Sequence, residues 1–153
     1  MKKIGLLVIL VVVSFLSSCD KSRYFEKNTD LIDQAWFYDN AISFEIVNSD
    51  LLEKKLFVNF RHSSLFPYRN LLLKALVQNP QGEKETIHIN IPLSEPNGKW
   101  YGDCSGDVCI VQYPISYELK DTGNYVFEII QDMRVNPLQG SISVGLRAEI
   151  VEL

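Results

Sequence analysis

Histidine is scarce in this chain of 153 residues, which contains only His62 and His88. His62 stands at the end of an alternating segment beside Ser63 and Ser64, and His88 falls on the solvent side of another. The Gly-x-Ser-x-Gly sequence that presents a nucleophilic serine on a sharp turn is also absent. A Ser-His-Asp triad is therefore not indicated, and we interpret both histidines as incidental surface residues.

Basic residues are outnumbered in the chain, with 15 Lys and Arg against 19 Asp and Glu. Signal-peptide cleavage after residue 18 would remove Lys2 and Lys3. The remaining chain would have 13 basic residues and a formal charge of −6. Nucleic-acid binding needs clustered Lys and Arg that neutralise phosphates, so the charge argues against this class of function. The same charge argues against electrostatic adhesion to an anionic leaflet.

Helical periodicity is missing as well. No window of a dozen residues carries the apolar stripe of an amphipathic helix, although 30–37 could form a short helical turn. Instead, apolar and polar residues alternate with a period of two, which predicts strands with one buried face. The alternating segments are 42–46, 56–60, 87–91, 113–119, 125–129 and 142–150.

An apolar run over 71–77, interrupted only by Lys74, is assigned to a buried strand because it lies between two alternating segments. Turn sequences rich in Pro, Asn, Asp and Gly separate the strands at 79–82, 95–98 and 120–123. About seven strands or slightly more predict an all-β, antiparallel β-sandwich with immunoglobulin-like or jelly-roll-like wiring.

The N-terminus combines two lysines with an apolar run over 4–16, which is too short to span a bilayer. A small-residue stretch then ends in Cys19, as bacterial lipoprotein processing requires, whereas an ordinary secretory signal more often ends in Ala-x-Ala. We predict a lipoprotein signal peptide over 1–18, attachment of lipid including palmitate at Cys19, a lipidated tether over 19–40 and a sandwich domain over 41–153. Stable attachment requires more than one acyl chain.

The two remaining cysteines, Cys104 and Cys109, are predicted to form a disulfide in an oxidising compartment. Gly106 between them can take the positive φ that such a short loop needs. A redox pair would favour Cys-x-x-Cys at a helix start, so we interpret the pair as a structural staple. Asp103 and Asp107 supply too few oxygen ligands for calcium, and no metal or cofactor is expected.

Aromatic residues occupy three segments that we interpret as loops, at 36–38, 66–68 and 100–101. Exposed rings can stack on sugars or anchor a protein partner. Rings can equally close the open end of a sandwich by packing against the edge of its core. The sequence leaves both interpretations open.

Several segments together carry a family resemblance: Cys19-Asp20-Lys21, Tyr24-Phe25-Glu26, Trp36, Phe57-Val58-Asn59-Phe60-Arg61, Tyr68-Arg69-Asn70-Leu71, Pro80-Gln81-Gly82, Trp100-Tyr101-Gly102 and Gly106-Asp107-Val108. The most specific part is Gln131-Asp132-Met133-Arg134 with Leu138, Gly140-Ser141-Ile142 and Val144-Gly145-Leu146-Arg147. In combination these segments resemble the gliding-motility lipoprotein GldH family of the Bacteroidetes. The cysteine pair departs from the family pattern, which suggests a local staple.

The resemblance implies a non-enzymatic envelope lipoprotein of the gliding machinery and the associated type IX secretion system. Its partners would be the membrane and other envelope lipoproteins, with no catalytic residues and no small-molecule substrate. Candidate partner-binding residues are Trp100, Tyr68 and Arg134. The alternative function is a surface or periplasmic glycan-binding lipoprotein, suggested by the same loop aromatics.

The expected location is the outer membrane, with the domain on its periplasmic face. Asp20, directly after the lipidated cysteine, resembles the signal that retains enterobacterial lipoproteins in the inner membrane. Sorting rules differ among phyla, so this residue does not decide between the two membranes.

Overall fold

The computed structural model describes residues 22–151. The predicted signal peptide over 1–18 and the predicted lipid attachment site Cys19 lie outside the described residues. Within 22–151, no helix is long and apolar enough to cross a membrane.

Two antiparallel sheets form the domain. The first sheet has the strand order β1-β11-β4-β8-β7, formed by Arg23–Asp30 (β1), Ser141–Ile150 (β11), Lys54–Ser63 (β4), Val108–Ile115 (β8) and Asp103–Ser105 (β7). The second has the order β3-β9-β5-β6, formed by Ile42–Asn48 (β3), Gly123–Gln131 (β9), Asn70–Gln78 (β5) and Lys84–Pro92 (β6). A small ribbon pairs Ala35–Trp36 (β2) with Leu138–Gln139 (β10), and a 3₁₀ turn covers Ile32–Gln34.

The wiring of these strands is that of a jelly roll. The eight long strands, lettered B to I in chain order, form one sheet as B-I-D-G and the other as C-H-E-F. The chain changes sheet at every connection except the E–F hairpin, β5 to β6, and this order is that of two Greek keys. The all-β antiparallel sandwich predicted from the sequence is confirmed, and the structure decides its wiring for the jelly roll.

The buried core consists of the side chains on one face of each strand, as the alternation of apolar and polar residues predicts. In β3 every second side chain is buried, beginning with Ile42, Phe44 and Ile46, because successive side chains of a strand point to opposite faces. The run over 71–77 is part of β5, as predicted. The largest fully buried side chains are Trp36, Tyr125, Phe44, Phe60, Phe127, Ile46, Leu56, Leu71, Leu73, Ile91, Leu93 and Ile129.

Two of the predicted turns have the expected geometry. Gly82 N–H donates to the Asn79 carbonyl over 3.0 Å, and Gly98 N–H donates to the Glu95 carbonyl over 2.9 Å. Both glycines have positive φ, 85° and 90°, which a side chain would disfavour. The segment over 120–123 leads into β9, which begins at Gly123.

The strand predicted over 113–119 ends earlier than its alternation indicates, because β8 stops at Ile115. The pairing of β8 with β4 ends at Ile115 opposite Leu56, although β4 extends two residues further, to Lys54. Tyr117 N–H donates to the Ile115 carbonyl over 3.1 Å, so the chain turns here rather than continuing beside β4. The Leu119 carbonyl instead accepts a hydrogen bond from the Asn48 side chain over 3.3 Å.

The prediction that residues 19–40 form a tether is wrong for most of that range. Arg23–Asp30 forms β1, which pairs with β11 as far as Asp30 opposite Ser143, and Trp36 is fully buried. The described part of the domain therefore begins at residue 22 rather than at residue 41. The sequence of β1 does not alternate, because β1 is an edge strand in which four residues are half-buried, four are exposed and none is buried.

The strand directions define two ends of the sandwich. The near end comprises residues 22 and 151 and the loops 49–53, 79–83 and 116–122. The far end comprises the loops 31–41, 64–69, 93–102 and 132–140. All three aromatic segments noted in the sequence lie at the far end.

Candidate functional site

Five rings pack together at the far end and are here named the aromatic cluster: Phe60, His62, Phe66, Tyr68 and Trp100. Ring centroids lie 5.6 Å apart for Phe60 and Phe66, 5.3 Å for His62 and Phe66, and 5.6 Å for Phe66 and Tyr68. Trp100 joins through His62, at 4.6 Å. Phe60 and Phe66 are buried, whereas Tyr68 and Trp100 are half-buried, so the cluster runs from the core to the surface.

His62 is in the middle of this cluster, and its predicted surface position is wrong. The residue is 0% exposed. The signal was present in the sequence, because His62 continues the inward-facing series of Leu56, Val58 and Phe60 at every second position of β4. The position of His62 in this alternation, rather than its place at the end of the strand, indicates that it faces the core.

The protonation state of His62 follows from its two ring nitrogens. Nδ1 lies 2.8 Å from the Ser63 carbonyl, which can only accept, so Nδ1 carries the hydrogen. Nε2 is buried and has no hydrogen-bond partner. Burial disfavours the charged ring and lowers the pKa of His62 below its usual value, while the Ser63 carbonyl opposes this shift.

Trp100 is positioned by backbone pairing around a reverse turn. Trp100 forms an isolated bridge with Ser94, and Tyr101 N–H donates to the Leu93 carbonyl over 2.9 Å. The same turn places Tyr101 at the surface, where its ring is exposed. Trp100 and Tyr101 therefore form a pair of adjacent rings that are partly open to solvent.

The disulfide predicted between Cys104 and Cys109 is present and joins β7 to β8. Its Cα atoms are 4.0 Å apart, and the two residues face each other in register. Cys109 is buried and pairs with His62 on β4. The bridge therefore fastens the short edge strand β7 beside the aromatic cluster.

Arg134 lies on another loop of the far end, over 132–137, and its side chain is exposed. Buried Gln131 organises this loop by donating to the Val135 carbonyl over 3.0 Å and accepting from Met133 N–H over 2.9 Å. Tyr38 Oη donates to the Met133 carbonyl over 2.7 Å. Of the three predicted contact residues, Trp100 and Tyr68 belong to one cluster, and Arg134 shares only their end of the sandwich.

The aromatic segments are divided between the two roles that the sequence left open. Trp36 closes the core, and its Nε1 donates to the Asn40 carbonyl over 2.8 Å. Phe66 is buried likewise, whereas Phe37 and Tyr38 are exposed. The inner rings thus act as a lid, and the outer rings form a surface.

No three His, Cys, Asp or Glu side chains among residues 22–151 converge as a metal site. The carboxylates flanking the disulfide are both exposed, Asp103 at the start of β7 and Asp107 in the turn between β7 and β8. The chemistry offered at the far end is therefore that of a contact surface, with apolar rings, hydroxyl groups and the exposed guanidinium groups of Arg69 and Arg134.

The chain is similar to known proteins of one family. A family model described as "GldH lipoprotein" matches residues 23–148. A gliding motility lipoprotein GldH homolog of Christiangramia forsetii is 30% identical, with 93% of each chain covered. The gliding motility lipoprotein GldH of Flavobacterium johnsoniae is 28% identical, with 97% of this chain and 96% of the relative covered.

Solved structures resemble the chain only loosely. An exo-β-1,3-galactanase of Phanerochaete chrysosporium aligns with 83% of this chain and 27% of its own, at 10% identity and a TM-score of 0.43. The family match, in contrast, spans almost the whole described domain. The chain belongs to the GldH lipoprotein family, a family of gliding-motility lipoproteins.

Proposed function

We propose that this protein is a non-catalytic assembly component of the gliding motility machinery and the associated type IX secretion system. Lipid on Cys19 holds it to the outer membrane, with the domain on the periplasmic face. Its far end docks other envelope proteins of that machinery through Trp100, Tyr68 and Arg134. The observation that carries the proposal is the position of the aromatic cluster at the end opposite the point where the chain enters the domain.

The distance between the two ends supports this arrangement. Strand β1 begins at the near end and has 8 residues, which span about 26 Å at ~3.3 Å per residue. Cys19 precedes residue 22 by three positions, so the lipid emerges at the near end. The far end therefore projects away from the bilayer, toward partners in the periplasm.

The composition of the far end supports protein docking. Aromatic rings and arginine are enriched among the residues that dominate binding energy at protein interfaces. Buried Phe66 and His62 support the half-buried rings of Tyr68 and Trp100 from below. Rings held in place in this way lose little conformational freedom when a partner binds.

The test is in-cell crosslinking followed by purification through a C-terminal tag and mass spectrometry. The C-terminus leaves the domain at the near end, so the tag stays away from the far end. Arg134→Ala and Trp100→Ala are each expected to reduce recovery of gliding or secretion lipoproteins. Lys120→Ala, which removes an exposed basic side chain at the near end, is the matched control.

Folding of each variant is checked by thermal unfolding, because Trp100 also contacts His62. Cys19→Ala is expected to lose both membrane attachment and partner recovery. Recovery that is unchanged in folded Arg134→Ala and Trp100→Ala would remove the far end from the proposal. Loss of recovery in Lys120→Ala would place the contact at the near end instead.

Glycan binding is the second candidate, and the adjacent, partly open rings of Trp100 and Tyr101 favour it. The two tryptophans make the test specific, because Trp36 is fully buried and a ligand-dependent change in emission reports on Trp100. A saturable change with one polysaccharide, absent in Trp100→Phe, would support this function. A flat response across a broad panel would leave protein docking as the function of the far end.

A further inference from the structure

Large apolar side chains are exposed at one corner of the near end. Val47 is 68% exposed, Leu51 is 74% exposed and Leu52 is 56% exposed. Val47 lies close to the end of β3, and the two leucines occupy the loop that follows it. These three residues are here named the leucine tip.

The loop that carries the tip is held by a buried lysine. The Lys54 side chain is 0% exposed, and its Nζ donates to Asp50 Oδ1 over 2.6 Å and to the Leu52 carbonyl over 3.0 Å. Leu52 N–H donates to the same carboxylate over 3.0 Å. The ammonium also lies 4.4 Å from the centre of the Tyr24 ring. The loop is thus fixed in a conformation that keeps both leucines out of the core.

Tyr24 connects this loop to the first strand. Its hydroxyl donates to the Val47 carbonyl over 2.8 Å and accepts from Ser49 N–H over 2.7 Å. The C-terminal strand provides a second connection, because Ile150 N–H donates to the Ser22 carbonyl over 2.8 Å and Val151 N–H donates to the Glu53 carbonyl over 2.9 Å. The leucine tip is therefore hydrogen-bonded to the place where the chain enters the domain.

The length of chain before this place sets how far the tip can stand from the membrane. Three residue steps separate Cys19 from Ser22, and a fully extended chain covers at most about 3.6 Å per residue, or roughly 11 Å in all. The polar region of one leaflet is about 5–8 Å thick. A lipid on Cys19 therefore keeps the tip within reach of the headgroups of its own leaflet.

We propose that the leucine tip inserts into the bilayer leaflet that holds the acyl chains, giving the domain a second membrane contact. This inference rests on the lipid attachment in the proposed function. Apolar side chains enter the boundary between headgroups and acyl chains, and the charge of Lys54 is already matched by Asp50. Lipid and tip together fix the tilt of the domain and hold the far end away from the membrane.

The experiment uses the acylated protein reconstituted into vesicles of phosphatidylethanolamine and phosphatidylglycerol. Leu52→Cys provides a single reactive thiol, because Cys104 and Cys109 are joined and Cys19 carries lipid. This thiol is labelled with an environment-sensitive dye. Leu65→Cys, at a far-end position that is 87% exposed, is the matched control.

Vesicle binding should raise dye emission at residue 52 by roughly twofold and shift it to the blue, because the dye leaves water for an apolar environment. Spin-labelled lipids should quench residue 52 and not residue 65. Equal, water-like emission at both positions would overturn the inference.

Attachment is measured separately, by vesicle flotation and by the acylated mass of the N-terminal peptide. Flotation that is retained with a water-like dye at residue 52 refutes the leucine tip and leaves the proposed anchor in place. Protein that does not float and carries no acyl mass refutes the anchor itself, and the inference with it.

Discussion

The two ends of the sandwich are built from different interactions. At the near end, a buried ammonium, that of Lys54, holds loop 49–53 by hydrogen bonds to oxygen atoms. At the far end, the rings of the aromatic cluster pack loops 64–69 and 93–102 against the end of β4. At the near end, directional hydrogen bonds thus clamp one loop. At the far end, the rings extend the apolar contacts of the core to the surface.

This difference corresponds to the two tasks in the proposed function. A clamp of hydrogen bonds fixes the geometry of a short loop next to the point of attachment, because hydrogen bonds depend on direction as well as distance. Packed rings instead give a surface that is apolar on the side facing the core and partly polar on the side facing solvent. Aromatic residues that anchor protein interfaces have the same character. Three measurements test whether the ends differ in this way.

The largest effect is expected from Phe66→Ala. Phe66 contacts Phe60, His62 and Tyr68, so its removal leaves a cavity in the aromatic cluster and should lower the free energy of unfolding by about 3–5 kcal/mol. Denaturant unfolding measures the loss. Leu65→Ala is the control, because this neighbouring side chain is exposed and its loss should change stability by less than about 0.5 kcal/mol. Equal losses in the two variants would contradict packing as the basis of the far end.

A smaller effect is expected at the near end from Lys54→Met, which keeps most of the buried stem and removes the ammonium. The oxygens of Asp50 and Leu52 lose their donor, so the free energy of unfolding should fall by about 1–3 kcal/mol. Hydrogen exchange should become faster at Leu52, whose N–H bonds the Asp50 carboxylate. Lys55→Met, at the exposed neighbouring position, should change neither quantity. Unchanged exchange in Lys54→Met would show that the clamp does not fix the loop.

The smallest effect is expected from the pH dependence of the far end. Burial lowers the pKa of His62 in the folded state below its usual value of 6.5, so the unfolded state binds more protons. The stability contributed by neutral His62 is present above that value and is lost as pH falls below it. The slope cannot exceed about 1.4 kcal/mol per pH unit, because one proton is involved.

Denaturant unfolding between roughly pH 7.5 and pH 5.5, on either side of the usual histidine pKa, measures this slope. His62→Phe should remove it; His88→Gln, at a histidine whose side chain is 72% exposed, is the control. A slope that is identical in His62→Phe and the unaltered protein would assign the pH dependence to other groups.

Much of the fold was predictable because its signals are local. The alternation in β3 and β9 and the Pro-x-Gly turns depend on neighbouring residues, and the structure confirms them. The Cys104–Cys109 bridge was predictable for the same reason, since the two cysteines are 5 positions apart. Trp100 and Tyr68 were singled out as loop aromatics, and their mutual arrangement through His62 and Phe66 was not foreseen.

The errors occurred where pairing or burial depends on distant parts of the chain. β1 shows no alternation of its own and becomes a strand because β11, more than a hundred positions away, offers its edge. The predicted strand over 113–119 is cut short because the chain turns after Ile115, where Tyr117 N–H donates to the Ile115 carbonyl, and leaves its neighbour β4. His62 was misplaced because the partners that bury it, Phe66 and Trp100, come from later loops.

By itself the sequence determined the strand-forming alternation, the all-β class, the reverse turns, the disulfide and the resemblance to GldH lipoproteins. Each of these depends on residues that are close together in the chain or on segments that occur in a given order. Only the tertiary structure decided the jelly-roll wiring, the burial of His62 and the separation of the aromatic cluster from the leucine tip. These features depend on which distant strands pair and on which loops share an end. They arise when the two sheets bury their apolar faces against each other, and no single segment of the sequence determines that arrangement.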